Sequence, residues 1–363
     1  MTSFKPTLGW LKQVLLILTV FAGLNLHGQK ADSTVKKKGF IVLPAVFYSP
    51  ETSLGFGAAS LTYFRSRKNP DVRPSNIQNI FIYTLESQIL FTNRYNVFLN
   101  NEQYWINGEL GFYVYPYEYY GVGNDLNEAE FYTADFLRVE INALRQAQKD
   151  FYLGPTLFYD HYFKISTDPN GALEGNDVLG NDPGVLMGFG ASFILDKRNN
   201  VFCPYQGYYL EGRLLKYEKS LIGDYAFTDI FLDARKYFHV GERLETAFQF
   251  YQQSVLGDPP FYNYALMGGS KRMRGYYKGA YRDHHFTVAQ TELRHYIFDK
   301  VVLSAFGGLG AVSDNFMQYE KLLGSYGVGL RYEINSVERI RIRLDYARGH
   351  LTDGFYININ EAF

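Results

Sequence analysis

Arg274, Gly275 and Tyr276 close the stretch Gly268-Gly269-Ser270-Lys271-Arg272-Met273-Arg274-Gly275-Tyr276, and they are the residues best suited to a specific interaction. A guanidinium is a planar fork of donors that a carboxylate can accept bidentately. Gly275 permits backbone angles and close approaches that other residues resist. Tyr276 can lay its ring on a wall while its hydroxyl stays hydrated. The chemistry indicated is recognition of acids by one Arg. Covalent and metal chemistry are less well served. Cys203 is the sole cysteine, so there is no disulfide framework and no Cys-based metal cluster. The seven His are scattered; only His284 and His285 adjoin, and strand neighbours point to opposite faces, which is poor ligand geometry. His161 and His295 lack a Ser partner in a nucleophile motif, so a lipase-type enzyme is not expected. No catalytic residue, cofactor or metal is expected.

The Arg274 stretch lies in a long loop, residues 255–283, between two segments of alternating apolar and polar residues. A loop of that length inside a compact domain is usually functional or disordered. The segments around it carry a period of two almost throughout. In Arg339–Tyr346 the even positions Ile340, Ile342, Leu344 and Tyr346 are apolar and the odd positions Arg339, Arg341, Arg343 and Asp345 are charged. Leu137, Val139 and Ile141 alternate with Arg138, Glu140 and Asn142 in the same way. About sixteen such strands can be read, an even number, as single-chain bacterial barrels have. Composition agrees: 32 Tyr, 30 Phe and 34 Gly, with no run of apolar residues long enough for several membrane helices. A net charge of −1 and the lack of a long basic run exclude a nucleic-acid partner.

Residues 1–29 read as a secretory signal peptide: Lys5 and Lys12 precede the apolar core Val14–Ala22, and Gly28-Gln29 offers a small-residue exit. Residues 30–38 form a short linker that leaves no room for a soluble domain, and 39–363 form the barrel. Tight turns near 105–107, 147–149, 299 and 335–337 alternate with long loops near 65–75, 120–134, 164–184 and 255–283, which predicts short periplasmic turns and long outer loops. Phe355, Ile357, Ile359 and Phe363 share one strand face, with Glu361 the exception near the membrane interface. The fold expected is all-β: a transmembrane antiparallel β-barrel with a long inward-folding loop between strands 11 and 12.

Met273-Arg274-Gly275-Tyr276 resembles the Val-Arg-Gly-Phe/Tyr motif of the BamA–TamA superfamily of outer-membrane barrels, the bacterial surface antigen family. The resemblance implies that the loop folds into the barrel and that Arg274 meets wall carboxylates. Parity on the twelfth strand puts Glu292 with Gln290 and Arg294 on the polar face. The family's Phe-x-Asp-x-Gly wall motif corresponds to Phe306-Gly307-Gly308-Leu309-Gly310, with Gly308 in place of the Asp. The Arg274 clamp is then expected to rest on Glu292 alone unless Asp314 or another acid substitutes, in a wet lumen where a single pair contributes only about 0–1 kcal/mol. Asp196-Lys197-Arg198-Asn199-Asn200, with Pro204 and Gly207 downstream, is similar to a family turn on the periplasmic side. Phe363 resembles the C-terminal signal by which such barrels are delivered for assembly. Function by resemblance is insertion or translocation of proteins or lipids at the outer membrane of a Gram-negative cell. The partners implied are outer-membrane lipid, the barrel assembly machinery and, without POTRA domains, a separate periplasmic client-binding protein. The alternative is a passive channel for small polar solutes.

Overall fold

The computed structural model describes residues 38–64, 72–175, 178–219, 222–336, 339–350 and 352–363. The expected signal peptide and most of the linker lie outside them. Eleven strands come first: β1 (Lys38–Ser49), β2 (Ser53–Phe64), β3 (Ser75–Thr84), β4 (Ile89–Leu99), β5 (Tyr104–Tyr119), β6 (Glu130–Gln148), β7 (Phe151–Thr167), β8 (Gly184–Asp196), β9 (Gly207–Tyr217), β10 (Phe227–Val240) and β11 (Leu244–Gly257). Two short strands, β12 (Ala265–Leu266) and β13 (Arg282–Asp283), pair with each other, and Arg282 also bridges to Gly123. Then follow β14 (His285–Phe298), β15 (Val301–Ser313), β16 (Leu323–Asn335), β17 (Ile340–Arg348) and β18 (Asp353–Ile359). All but β12 and β13 join in one closed antiparallel barrel of sixteen strands, so β14 is its twelfth.

Closure follows from the alternation. Side chains on successive strand residues point to opposite faces, and a closed sheet leaves no backbone edge unpaired in lipid. On β16 the outward Tyr326, Val328, Leu330 and Tyr332 are exposed while the inward Arg331 and Glu333 are buried. Outward Phe and Tyr recur round the wall, among them Phe40, Phe81, Phe238, Phe298 and Tyr346. No described helix is long and apolar enough to cross a membrane, which says nothing about strands. Closure is uneven. β1 runs in register with β2 from Lys38↔Phe64 to Ser49↔Ser53, whereas β1 and β18 share the single registered pair Tyr48↔Ile357.

Several strands run beyond their expected ends. β6 begins at Glu130 and β7 ends at Thr167; the inward Tyr132 packs on Tyr117 and Phe261, while Phe136 stacks on Tyr162 and Tyr162 on Tyr262. A register shift at Asp135/Phe136 accommodates the extension. The β2–β3 connection departs from the expected asymmetry. Antiparallel alternation puts the end of β2 and the start of β3 at the same end of the barrel as the tight β4–β5 and β6–β7 turns, not among the outer loops where that connection was expected.

Candidate functional site

Residues 258–284 connect β11 to β14 and carry a single 3-10 turn, Phe261–Asn263, besides β12 and β13. Glycines shape the stretch around Arg274. Gly268, Gly269 and Gly275 all have φ near +100°, the left-handed region that favours glycine. Gly275 is doubly required: a Cβ there would meet the backbone of Arg348 and Gly349 at 2.8 Å. Its N–H donates to the Tyr356 hydroxyl on β18 at 2.8 Å. The Tyr276 ring is buried against Gly349, and its hydroxyl donates to the Gly324 carbonyl and accepts from the His350 N–H, each at 2.8 Å. That hydroxyl was expected to stay hydrated; two backbone partners occupy it.

Arg274 joins two wall strands. Its Nη2 donates to Glu292 Oε2 on β14 and its Nη1 to Asp345 Oδ2 on β17, both at 2.6 Å. The three side chains are 0–1% exposed. The guanidinium carbon lies 3.4 Å from the centre of the Phe306 ring, and the backbone carbonyl accepts from Ser325 Oγ. Asp345 thus takes the place of the second acid that Gly308 lacks. Asp314 does not serve: it is exposed and accepts from His284 Nδ1 at 2.9 Å. The expected wet lumenal pair is instead a buried one, and the other acid that the expectation left open is Asp345.

Gly308 has a positive reason. A Cβ at 308 would stand 2.7 Å from the Cβ of Gln290. Gln290 needs that space, since its amide donates to the Lys271 carbonyl at 2.9 Å and its Oε1 accepts from the Met273 N–H at 3.3 Å. Gly310 likewise makes room for the Met273 thioether, 3.0 Å from where its Cβ would be.

The acids are shared. Glu292 Oε1 accepts from Arg294 Nε and Arg331 Nη2, both at 2.9 Å. Asp345 Oδ1 accepts from Arg331 Nη1 at 2.6 Å. Glu361 accepts from Arg331 Nε at 3.2 Å and from Arg341 Nη1 at 2.8 Å, with Arg294 Nε at 3.5 Å. Burial raises the Glu361 pKa, but the guanidiniums of Arg294, Arg331 and Arg341 outweigh it and hold the carboxyl down at about 2.

Residues 361–363 therefore turn inward. Asn360 has φ 65°, β18 ends at Ile359, and Phe363 is buried against Tyr237 and Ala247 of β10 and β11. The Phe363 carbonyl accepts from Arg294 Nη2 at 3.1 Å. Glu361 and Phe363 were expected on the membrane-facing side of the last strand. The left-handed residue at 360 breaks the alternation that the expectation relied on.

The β8–β9 turn meets the same network. Arg198 clasps Asp196 through Nε at 2.9 Å and Nη2 at 2.8 Å and stacks on Tyr209. Gly207, with φ 103°, brings the chain within reach of the Lys197 carbonyl, which a Cβ would meet at 2.0 Å. The Pro204 carbonyl accepts from Arg294 Nη1 at 3.2 Å. Cys203 is wholly buried, and burial followed by the charge of Glu361 pushes its thiol up to about 12. Elsewhere, Asp283, His284 and Asp314 present ligand atoms within 4.8 Å of one another, with His284 Nδ1 engaged by Asp314. Sequence reading missed Arg331, Tyr356 and Ser325 as contacts of this site. Arg331 alternates with the apolar Leu330 and Tyr332, but no local signal pairs it with residues far away in the chain.

An Omp85 superfamily domain model matches residues 75–363. The chain belongs to the Omp85 superfamily. Omp85 barrels are transport and assembly proteins, generally not enzymes, and the sixteen-stranded form fits the bacterial outer membrane. Among solved structures, the fold is similar to BamA from Haemophilus ducreyi lacking POTRA domains 1-3, with TM-score 0.60 and 11% identity over 89% of this chain and 70% of that one. It is also similar to CdiB from Acinetobacter baumannii, with TM-score 0.58 and 14% identity over 90% of this chain and 60% of that one. No curated protein matches the sequence.

Proposed function

We propose that this Omp85 barrel acts in insertion or translocation of proteins or lipids at the outer membrane, with residues 258–284 folding inward as a latch. The observation that carries the reading is Arg274 held by Glu292 and Asp345, all three buried. A segment that only capped an open pore would not need a buried Arg gripping two strands from inside. The latch has a release point, because Arg274 is the guanidinium that the segment contributes to an otherwise wall-borne network. The β1–β18 contact, with one registered pair, is the natural place for the wall to part. Outer-membrane lipid is the surrounding partner, the assembly machinery inserts the barrel itself, and a periplasmic client-binding protein would deliver cargo.

Depletion in the native host followed by profiling of outer-membrane proteins and lipids tests this. Selective loss of one class identifies the cargo. An unchanged envelope, together with large steady single-channel conductance unaffected by deleting 258–284, would replace the latch with a passive channel. A second arm uses Tyr48→Cys with Ile357→Cys. Oxidation should lock the seam and abolish the function that reduction restores.

A further inference from the structure

Arg343 is the poorly matched charge of the inner wall. It stands directly opposite Arg331 across the β16–β17 pair, where like charges repel. Arg331 is compensated by Glu292, Asp345 and Glu361. Arg343 is not. Its Nη2 donates to the Ser270 carbonyl at 3.0 Å, and its Nε lies 3.4 Å from Asp345 Oδ2 without a hydrogen bond. Nε and Nη1 are both buried and unpartnered, on a side chain 2% exposed. Asp345 is already committed to Arg274 and Arg331 at 2.6 Å each. Idle buried donors on a charged group are costly, and an acceptor with negative charge would relieve the cost.

The surroundings are cationic. Ser270 leads into Lys271 and Arg272. Lys271 is exposed, with its carbonyl fixed by Gln290. Arg272 lies 3.4 Å over the Tyr251 ring and 3.6 Å from Asp233, an acid already paired with Arg235 at 2.7 Å. In the connected network, six guanidiniums (Arg274, Arg294, Arg331, Arg339, Arg341, Arg343) face five side-chain carboxylates (Glu245, Glu292, Glu333, Asp345, Glu361), and Arg294 also donates to the Phe363 main-chain oxygen.

We propose that Arg343 and Lys271 form a lumenal oxyanion site that takes a phosphate group, either a free phosphate or the phosphate of a lipid headgroup. Guanidinium and ammonium together suit phosphate, one as an oriented set of donors and the other as a mobile point charge. Because Lys271 belongs to the 258–284 segment and Arg343 to β17, an anion between them would add to the ties that Arg274, Gly275 and Ser270 already make with the wall.

The test uses the full barrel, purified in detergent and in lipid nanodiscs, with inorganic phosphate as probe in equilibrium titrations. Saturable binding is expected, weakened about tenfold or more in Arg343→Gln, several-fold in Lys271→Gln and not at all in Arg138→Gln, whose parent guanidinium is fully matched by Asp160. Displacement of phosphate by nanodiscs containing an anionic phospholipid, but not by zwitterionic ones, assigns the headgroup as the source. Retention assigns a free phosphate. Absence of saturable binding, or equal affinity in wild type and Arg343→Gln, overturns the proposal. Should Arg343→Gln fail to fold, Lys271→Gln decides, and unchanged affinity there overturns it as well.

Discussion

At the scale of the residue, the site is a set of guanidiniums that share too few acids. Removing Arg274 leaves Glu292 and Asp345 buried with one partner fewer each. Breaking a buried pair in this way costs about 3–5 kcal/mol. Arg274→Ala should therefore lower the temperature of heat-modified migration on gels and open residues 258–284 to protease; identical digestion in mutant and wild type would remove the latch. Gly308→Asp is a sharper case. It supplies the acid of the motif that Phe306–Gly310 resembles, yet it should destabilise, because the new Cβ would stand 2.7 Å from that of Gln290. Acid acts on the same network. Glu361 is held at about 2 against an ordinary 4.5, so its contribution is full above pH 4.5 and is lost as pH falls toward 2. Thermal stability followed between pH 6 and 2 should drop through that window, and Glu361→Gln should flatten the drop.

At the scale of the element, much was legible and some was not. Period-two alternation gave the strands because a membrane barrel must show apolar side chains on one face and polar ones on the other. The same parity put Glu292, Arg341, Arg343 and Asp345 on the inner face. It could not say that Asp345, four strands along from β11, would meet Arg274, since register across several strands depends on barrel stagger rather than on any one segment. It failed at residue 360, where one left-handed residue diverted Glu361 and Phe363 from the outer to the inner side. That diversion makes a prediction for the end of β18. Phe363→Ala empties a buried site against Tyr237 and Ala247 and should cost about 3–5 kcal/mol, measured by denaturant unfolding in detergent. An outward-facing Phe363 would show little effect.

At the scale of the whole molecule, the barrel presents an apolar exterior and a charged interior, and substitutions should obey that division. Val328 faces outward near the middle of β16, so Val328→Arg should cost about 2–4 kcal/mol in a bilayer, read from refolding into vesicles. Cys203 reports on the interior. It is wholly buried with its thiol held protonated, so maleimide should leave it unmodified at pH 8 until the barrel unfolds. The seating of Glu361 and Phe363 also bears on the order of assembly. Their partners come from β10, β11, β14, β16 and β17, and the seat is reached only from within the ring. These side chains can dock only after those five strands are in place, so their docking times the end of folding: a barrel stalled before closure would keep Glu361 and Phe363 accessible, and the completed one would hide them.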